Sequence, residues 1–450
     1  MKLKVLAISD THVGEDASLL SFPRGLQHLW DVLRNSFNPS SSKHDEKFEV
    51  EEMILLGDIP DRALASTSQI IIHTNALIKT LDNAADIKKW VYIPGNHDHT
   101  LWTKYCMSRH HKKSGITPPS GEYIIKGGNR CDDEDNDPWA EDLLSLFFGY
   151  PHGGFWRNKK NDFNFVIANP FYAKHIKNRT IEDRTYVFTH GTHFRSDVSS
   201  PEWIKKIADY LWIDRFLGGI EIESDCDVTK AGNLEDLENI VAPFVDSLWR
   251  SSKDNPTSRS DNFWYMITIL RAKLSGIPLD KHQKREPTEN SKLFSQGKNE
   301  LMQASKDNRI WKIEEEDDSI RRWMDHFLPH MRRYINEDDK LKNYIKDDIT
   351  FVYGDTHHGG WGALPIKTGR PERFRIYNCG GWVMHGDKNY HPACHLFAVD
   401  EKGEEYLLDV SFKDENLKVD GVPLLELAAR DAENRQNNAN RLVRKILQGR

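Results

Sequence analysis

Nothing in this chain of 450 residues is long and apolar enough to cross a bilayer, which takes roughly 18–20 consecutive apolar residues. The beginning, MKLKVLAISD, carries basic residues and a short apolar run at 5–8, but the run meets Ser-Asp-Thr-His at once. Without an extended apolar stretch or a small-x-small cleavage site, it reads as a strand rather than a signal peptide. Cysteine is scarce: Cys106, Cys131, Cys226, Cys379 and Cys394 are odd in number and form no Cys-x-x-Cys pair. That pattern fits a reduced, cytoplasmic chain better than a disulfide framework. A surplus of basic charge is also missing. The formal net charge of −7 disfavours sequence-independent capture of long nucleic acid, which depends on clustered Lys and Arg. No internal repeat is present.

What the chain does have is a recurring pattern. Five short apolar runs each stop at a polar cluster. KVLAI ends in Ser-Asp-Thr-His (9–12), MILL in Gly-Asp-Ile-Pro-Asp-Arg (57–62), and WVYI in Pro-Gly-Asn-His-Asp-His (94–99). YVFT ends in His-Gly-Thr-His (190–193), and ITFVY in Gly-Asp-Thr-His-His-Gly-Gly (354–360). Continuous β-branched runs of this length predict strands buried on both faces. Residues 22–35 and 64–85 have helical spacing between the first three strands, so the alternation predicts a layered α/β sheet. In such sheets ligands sit beyond the carboxyl ends of the strands, which is where all five clusters fall. RFRIYNCGGWV, HLFAV and EYLLDV predict a β-rich closing section, with a hairpin turn at 402–404.

Two stretches stand outside this alternation. Residues 107–180 read as a loop-rich insertion with an acidic run at 131–142. Residues 195–349 have mostly helical periodicity and predict a cap inserted between the fourth and fifth strands. The core is then expected over 1–194 plus 350–420. The tail, 421–450, predicts an amphipathic helix with a basic end, a candidate docking element for an oligomer or a protein partner.

The strand ends collect Asp10, His12, Asp58, Asp61, Asn96, His97, Asp98, His190, Asp355 and His357. A lone carboxylate at a strand end is more often a turn former or a cap. Ten such groups converging from five strands point instead to a metal site, and mixed imidazole and oxygen donors suit Mn, Fe, Zn or Mg. Glycines beside them (Gly57, Gly95, Gly191, Gly354) permit tight turns.

The ordered set D-x-H (10–12), G-D-x-x-D-R (57–62), G-N-H-D (95–98), H-G (190–191) and G-x-x-H (354–357) resembles the calcineurin-like metallophosphoesterase family. The resemblance covers roughly 1–105, 185–194 and 350–410, and neither insertion nor the tail. It implies a four-layer αββα sandwich holding two divalent ions, with Mn expected first, and a metal-bridging hydroxide attacking a phosphomonoester or phosphodiester. By motif, Asp10, His12 and His357 would hold the first ion, Asp58 would bridge, and Asn96, His190 and residue 355 would hold the second. Here the sequence departs: where the family has Gly-His-x-His, this chain has Gly-Asp-Thr-His, so Asp355 stands at an imidazole position. As a ligand it adds charge and a hard oxygen, favouring Mn or Mg; the alternative is that it turns away. His97 is expected to stabilise phosphate or protonate the leaving group, with Asp98 orienting it, and Arg62 to contact phosphate with its fork of donors.

Among other residues, His99 and His193 are candidate contacts near the site, while His110, His111 and His358 read as loop residues. The acidic run lacks the glycine and the terminal Glu of a calcium loop, Leu144 standing at the last position counted from Asp133. A compact phosphoester, such as a nucleotide, is the expected substrate. A nuclease acting on nucleic-acid ends would need Lys205, Lys206, Arg321, Arg322, Arg332 and Arg333 to line a channel. A catalytically weak regulatory subunit has Asp355 as its one sequence support.

Overall fold

The computed structural model describes residues 1–39, 46–62, 65–99, 101, 121–126, 146–147, 164–169, 171–176, 183–191, 349–355, 357, 359–365, 373–384, 391–412, 417–419 and 422–429. The elements, in order, are β1 (Lys2–Ile8), α1 (Pro23–Phe37), β2 (Phe48–Leu56), α2 (Thr67–Ala84), β3 (Ala85–Ile93), β4 (Gly121–Lys126), β5 (Asn164–Asn169), β6 (Phe171–Ile176) and β7 (Arg184–Thr189). After them come β8 (Ile349–Tyr353), β9 (Gly360–Pro365), β10 (Arg373–Asn378), β11 (His395–Asp400) and β12 (Glu405–Asp409).

Two sheets form. One has seven strands in the order β12-β11-β1-β2-β3-β5-β4, the other five in the order β6-β7-β8-β10-β9. Each has a parallel centre: β1, β2, β3 and β5 in the first, β7, β8 and β10 in the second. Antiparallel strands flank both centres, and the hairpin β11–β12 turns at Asp400–Gly403, where the Gly403 amide donates to the Asp400 carbonyl at 3.1 Å. Burial explains the runs seen in the sequence. The last four residues of β1, β2 and β3 are all buried, as is every residue of β7 and β8. Alternate side chains of β1–β3 serve two cores. Leu6, Ile8, Met53, Leu55, Trp90 and Tyr92 pack with the helices, while Val5, Ala7, Ile54, Leu56, Val91 and Ile93 pack with Tyr186, Phe188, Val352 and Tyr377 of the second sheet. Covering both faces of a parallel sheet removes the polar–apolar alternation of a half-exposed strand.

Helix α1 starts with Pro23 in its first turn and buries Leu26, Leu29, Leu33 and Phe37, a stripe at helical spacing. Helix α2 opens with a capping box: the Gln69 amide donates to Ser66 Oγ, and the Ser66 amide donates to Gln69 Oε1. The described residues thus form three layers, helices, sheet and sheet. The helical cap expected over 195–349 lies outside the described residues except for Ile349, which opens β8, and of the tail expected over 421–450 only 422–429 are described, 424–429 being helical.

The loop-rich reading of 107–180 requires correction. Strands β4, β5 and β6 lie in that range and extend both sheets, β5 beside β3 and β6 beside β7. Each is six residues long and is embedded in a stretch dominated by polar residues and turn formers.

Candidate active site

Register brings the polar clusters level. Ile8 pairs with Leu55, and Leu56 with Ile93, so Ser9-Asp10, Gly57-Asp58 and Gly95-Asn96 leave neighbouring strands together. In the second sheet Phe188 pairs with Val352, which brings His190 beside Gly354, and the Gly354 amide donates to the His190 carbonyl at 2.9 Å. The two sheets meet here: the Asp355 amide donates to both carboxylate oxygens of Asp10, at 3.0 and 2.9 Å.

The backbone at these points is unusual. Asp10, His12, Asp58, Asp355 and His357 have φ between 45° and 58°, and they are the non-glycine residues with positive φ among those described. That conformation costs of order 1–3 kcal/mol at each such residue and persists where the surroundings over-determine it, commonly at functional sites. Asp and His tolerate it better than most residues. The glycines make room. A Cβ on Gly57, itself at φ +77°, would lie 2.2 Å from His190 Nδ1, and one on Gly95 would lie 2.2 Å from Asp58 Oδ1.

The side chains converge on two foci. At the first, His12 Nε2 lies 3.2 Å from His357 Nε2 and 3.6 Å from Asp58 Oδ2, and His357 Nε2 lies 3.4 Å from Asp10 Oδ1. At the second, His190 Nε2 lies 3.1 Å from Asn96 Oδ1, 3.5 Å from Asp58 Oδ2 and 3.4 Å from Asp355 Oδ1. Asp58 Oδ2 is common to both. A cation ~2.1 Å from each donor, with inter-donor angles of ~90–110°, sets donor separations of roughly 3.0–3.4 Å. The spacings of 3.1–3.4 Å fall in that range, those to Asp58 Oδ2 at 3.5 and 3.6 Å lie just beyond it, and two imidazole nitrogens 3.2 Å apart are well accounted for by a shared cation. Three donor atoms within 4.8 Å of one another occur in the sets Asp10–His12–His357, Asp10–Asp58–His190 and His12–Asp58–His97. Asp355 is outside those sets and meets the cluster through His190.

Around the donors lies a shell of positioning contacts. Ser9 Oγ donates to Asp10 Oδ2 and to the Leu56 carbonyl. The His97 amide donates to Asp58 Oδ1 at 2.8 Å, leaving Oδ2 for the foci. The carboxylate against the His97 ring is that of Asp61, not Asp98: Asp61 Oδ2 lies 3.2 Å from His97 Nδ1 and 3.1 Å from His12 Nδ1. Asp98 instead accepts from the Gly95 amide at 2.5 Å and the Ile59 amide at 3.0 Å, tying two ligand loops together. Its two carboxylate oxygens are met by backbone amides, while Asp61 lies against the His97 ring. Asp61 stood in the sequence set without a role; its signal was its place in G-D-x-x-D-R. Arg62 is half-buried in the turn before α2, whose first residue is Thr67 rather than a position next to Arg62. His99 is buried; His193 and the six basic residues of the channel test lie outside the described residues.

Electrostatics follow from the crowding. Burial raises the Asp58 carboxyl, but His190, His97 and His12 more than offset it and hold it well below the usual range. Asp61 is likewise pushed up by burial and pulled lower overall by His97 and His12. Burial and the neighbouring Asp58 charge push Asp98 up to about 7. Burial lowers His190, yet Asp58 and Asp355 raise it well above its ordinary value. A site whose carboxylates raise a buried imidazole in this way is one that favours added positive charge.

A family model for calcineurin-like phosphoesterases matches residues 3–231. The chain belongs to the calcineurin-like phosphoesterases. It is therefore a metallophosphoesterase, a hydrolase of phosphoric esters, of a family with a dinuclear metal centre. Among solved structures, the crystal structure of a dimetal phosphatase from Danio rerio matches at 11% identity and a TM-score of 0.31, over 91% of this chain and 100% of that one. No curated protein matches the chain. No described helix of this phosphoesterase is long and apolar enough to cross a membrane.

Proposed function

We propose that this phosphoesterase hydrolyses a compact phosphoester, such as a nucleotide or small phosphate ester, with two divalent ions held by Asp10, His12, Asp58, Asn96, His190, Asp355 and His357. The observation that carries this reading is Asp58 Oδ2, placed 3.6 Å from His12 Nε2 and 3.5 Å from His190 Nε2, between two donor foci. When bound, such ions activate water and neutralise charge on phosphoryl oxygens. Manganese is the proposed metal, because four of the seven donor residues offer oxygen.

The chain's own residues do the rest. His97 lies at the edge of the cluster, its ring 4.7 Å from that of His12 in an edge-to-face arrangement. With Nδ1 against the Asp61 carboxylate at 3.2 Å, its Nε2 is the nitrogen proposed to meet substrate, and the carboxylate stabilises the protonated ring. That suits His97 to donate a proton to the departing alkoxide. Arg62, half-buried in the loop after Asp61, supplies planar donors for a phosphoryl oxygen. The expected helical cap would govern which substrates enter, and the cysteine usage supports a reducing, cytoplasmic setting.

The test is His97→Asn in metal-loaded protein, assayed on an aryl phosphate monoester and a diester. Turnover should fall by about 10²–10⁴-fold with metal content per chain unchanged. Unchanged turnover would remove His97 from the reaction, and the ratio of the two wild-type rates reports the preferred ester.

A further inference from the structure

The two foci differ in chemistry. The first gathers two imidazole nitrogens, His12 Nε2 and His357 Nε2, with carboxylate oxygens of Asp10 and Asp58. The second gathers one imidazole nitrogen, His190 Nε2, with oxygens from Asn96, Asp58 and Asp355. Imidazole suits Zn and Fe, whereas carboxylate and amide oxygens suit Mn and Mg. We propose that Asp355 makes the two metal positions unequal: the imidazole-rich position prefers Zn²⁺ over Mn²⁺ far more strongly than the oxygen-rich one, so the centre loads as a mixed pair when both ions are present. The inference rests on the dinuclear reading above.

Asp355 is well suited to an exchange of side chains that isolates this effect. Its φ is 57°, a conformation that Asp, Asn and His all tolerate. Its hold on Asp10 is made by the backbone amide, at 2.9–3.0 Å from the carboxylate oxygens. Replacing the side chain therefore keeps the clamp on the first position and changes the donor at the second. The Asp355 side chain is 1% exposed, so its oxygen faces the cluster rather than solvent. Hydrogen bonding of its carboxylate to His190 alone would also account for this placement, and the two readings separate on metal exchange.

The full-length chain is loaded with Mn²⁺ and titrated with Zn²⁺. Bound metals are counted by elemental analysis and the residual Mn²⁺ environment is followed by electron paramagnetic resonance. In the wild type the first Mn²⁺ should exchange at low Zn²⁺ and the second only at about tenfold or more higher free Zn²⁺, leaving an isolated Mn²⁺ signal between the two steps. Asp355→His should narrow that gap by about tenfold or more by moving the second step alone. Asp355→Asn, which keeps an oxygen and drops the charge, should weaken the second Mn²⁺ without closing the gap. Simultaneous exchange of both ions in the wild type, or an unchanged gap in Asp355→His, would overturn the inequality while leaving the dinuclear site intact. Protein that retains no metal would overturn both readings together.

Discussion

Asp61 is the residue whose role the geometry defines most closely. One carboxylate oxygen lies 3.1 Å from His12 Nδ1 and 3.2 Å from His97 Nδ1, so a single buried group faces the ring of a proposed metal ligand and that of the proposed proton donor. With both Nδ1 atoms protonated against it, both Nε2 atoms face the cluster. Asp61→Asn keeps the shape and removes the charge. Turnover on an aryl phosphate should fall by about 10–100-fold, and the alkaline limb of the kcat profile should move to lower pH, because the variant no longer favours protonated His97. A merely structural role would lower thermal stability and leave the shape of the pH profile alone. The same scale shows what the sequence made legible. Each donor could be read because it follows a glycine or an apolar run at a strand end. The different surroundings of Asp61 and Asp98 could not, since both acids occupy equivalent-looking motif positions and only the fold decides which faces a ring and which faces amides.

At the scale of elements, the strands ending at the site were legible because both faces are covered, which writes a continuous apolar run into the chain. Strands β4, β5 and β6 were not: they lie in a stretch dominated by polar residues and turn formers. Between the sheets, Glu405 of β12 gathers groups from three strands of the other sheet. Its carboxylate accepts from Tyr377 Oη at 2.6 Å, Arg375 Nη1 at 2.9 Å and Thr350 Oγ1 at 3.1 Å, with Arg184 Nε 3.7 Å away. Burial raises this carboxyl, but the Tyr377 hydroxyl and the two guanidinium groups lower it overall. A carboxyl whose folded-state pKa lies below its unfolded one stabilises the fold above the unfolded value, and that stabilisation is lost as pH falls through the folded value. Glu405→Gln should therefore cost on the order of 1–3 kcal/mol at pH 7, seen as a lower Tm. The difference from wild type should shrink towards about pH 3. An equal Tm deficit at both pH values would mean that packing, not charge, accounts for the loss.

For the molecule as a whole, the two parallel sheet centres bring five strand ends to one edge, and the site exists only where the sheets meet. Asp10, Asp58 and Asn96 come from one sheet; His190, Asp355 and His357 come from the other. Asp58 is the pivot between the foci. The most direct test of this arrangement is the metal content of Asp58→Asn beside the wild type after Mn²⁺ loading, with phosphatase turnover measured on the same samples. The arrangement predicts about two ions per wild-type chain, at most about one in the variant, and turnover lost with the missing ion. A variant that keeps both ions and its turnover would contradict the placement of Asp58 between two metals, and with it the account of how this chain hydrolyses phosphoesters.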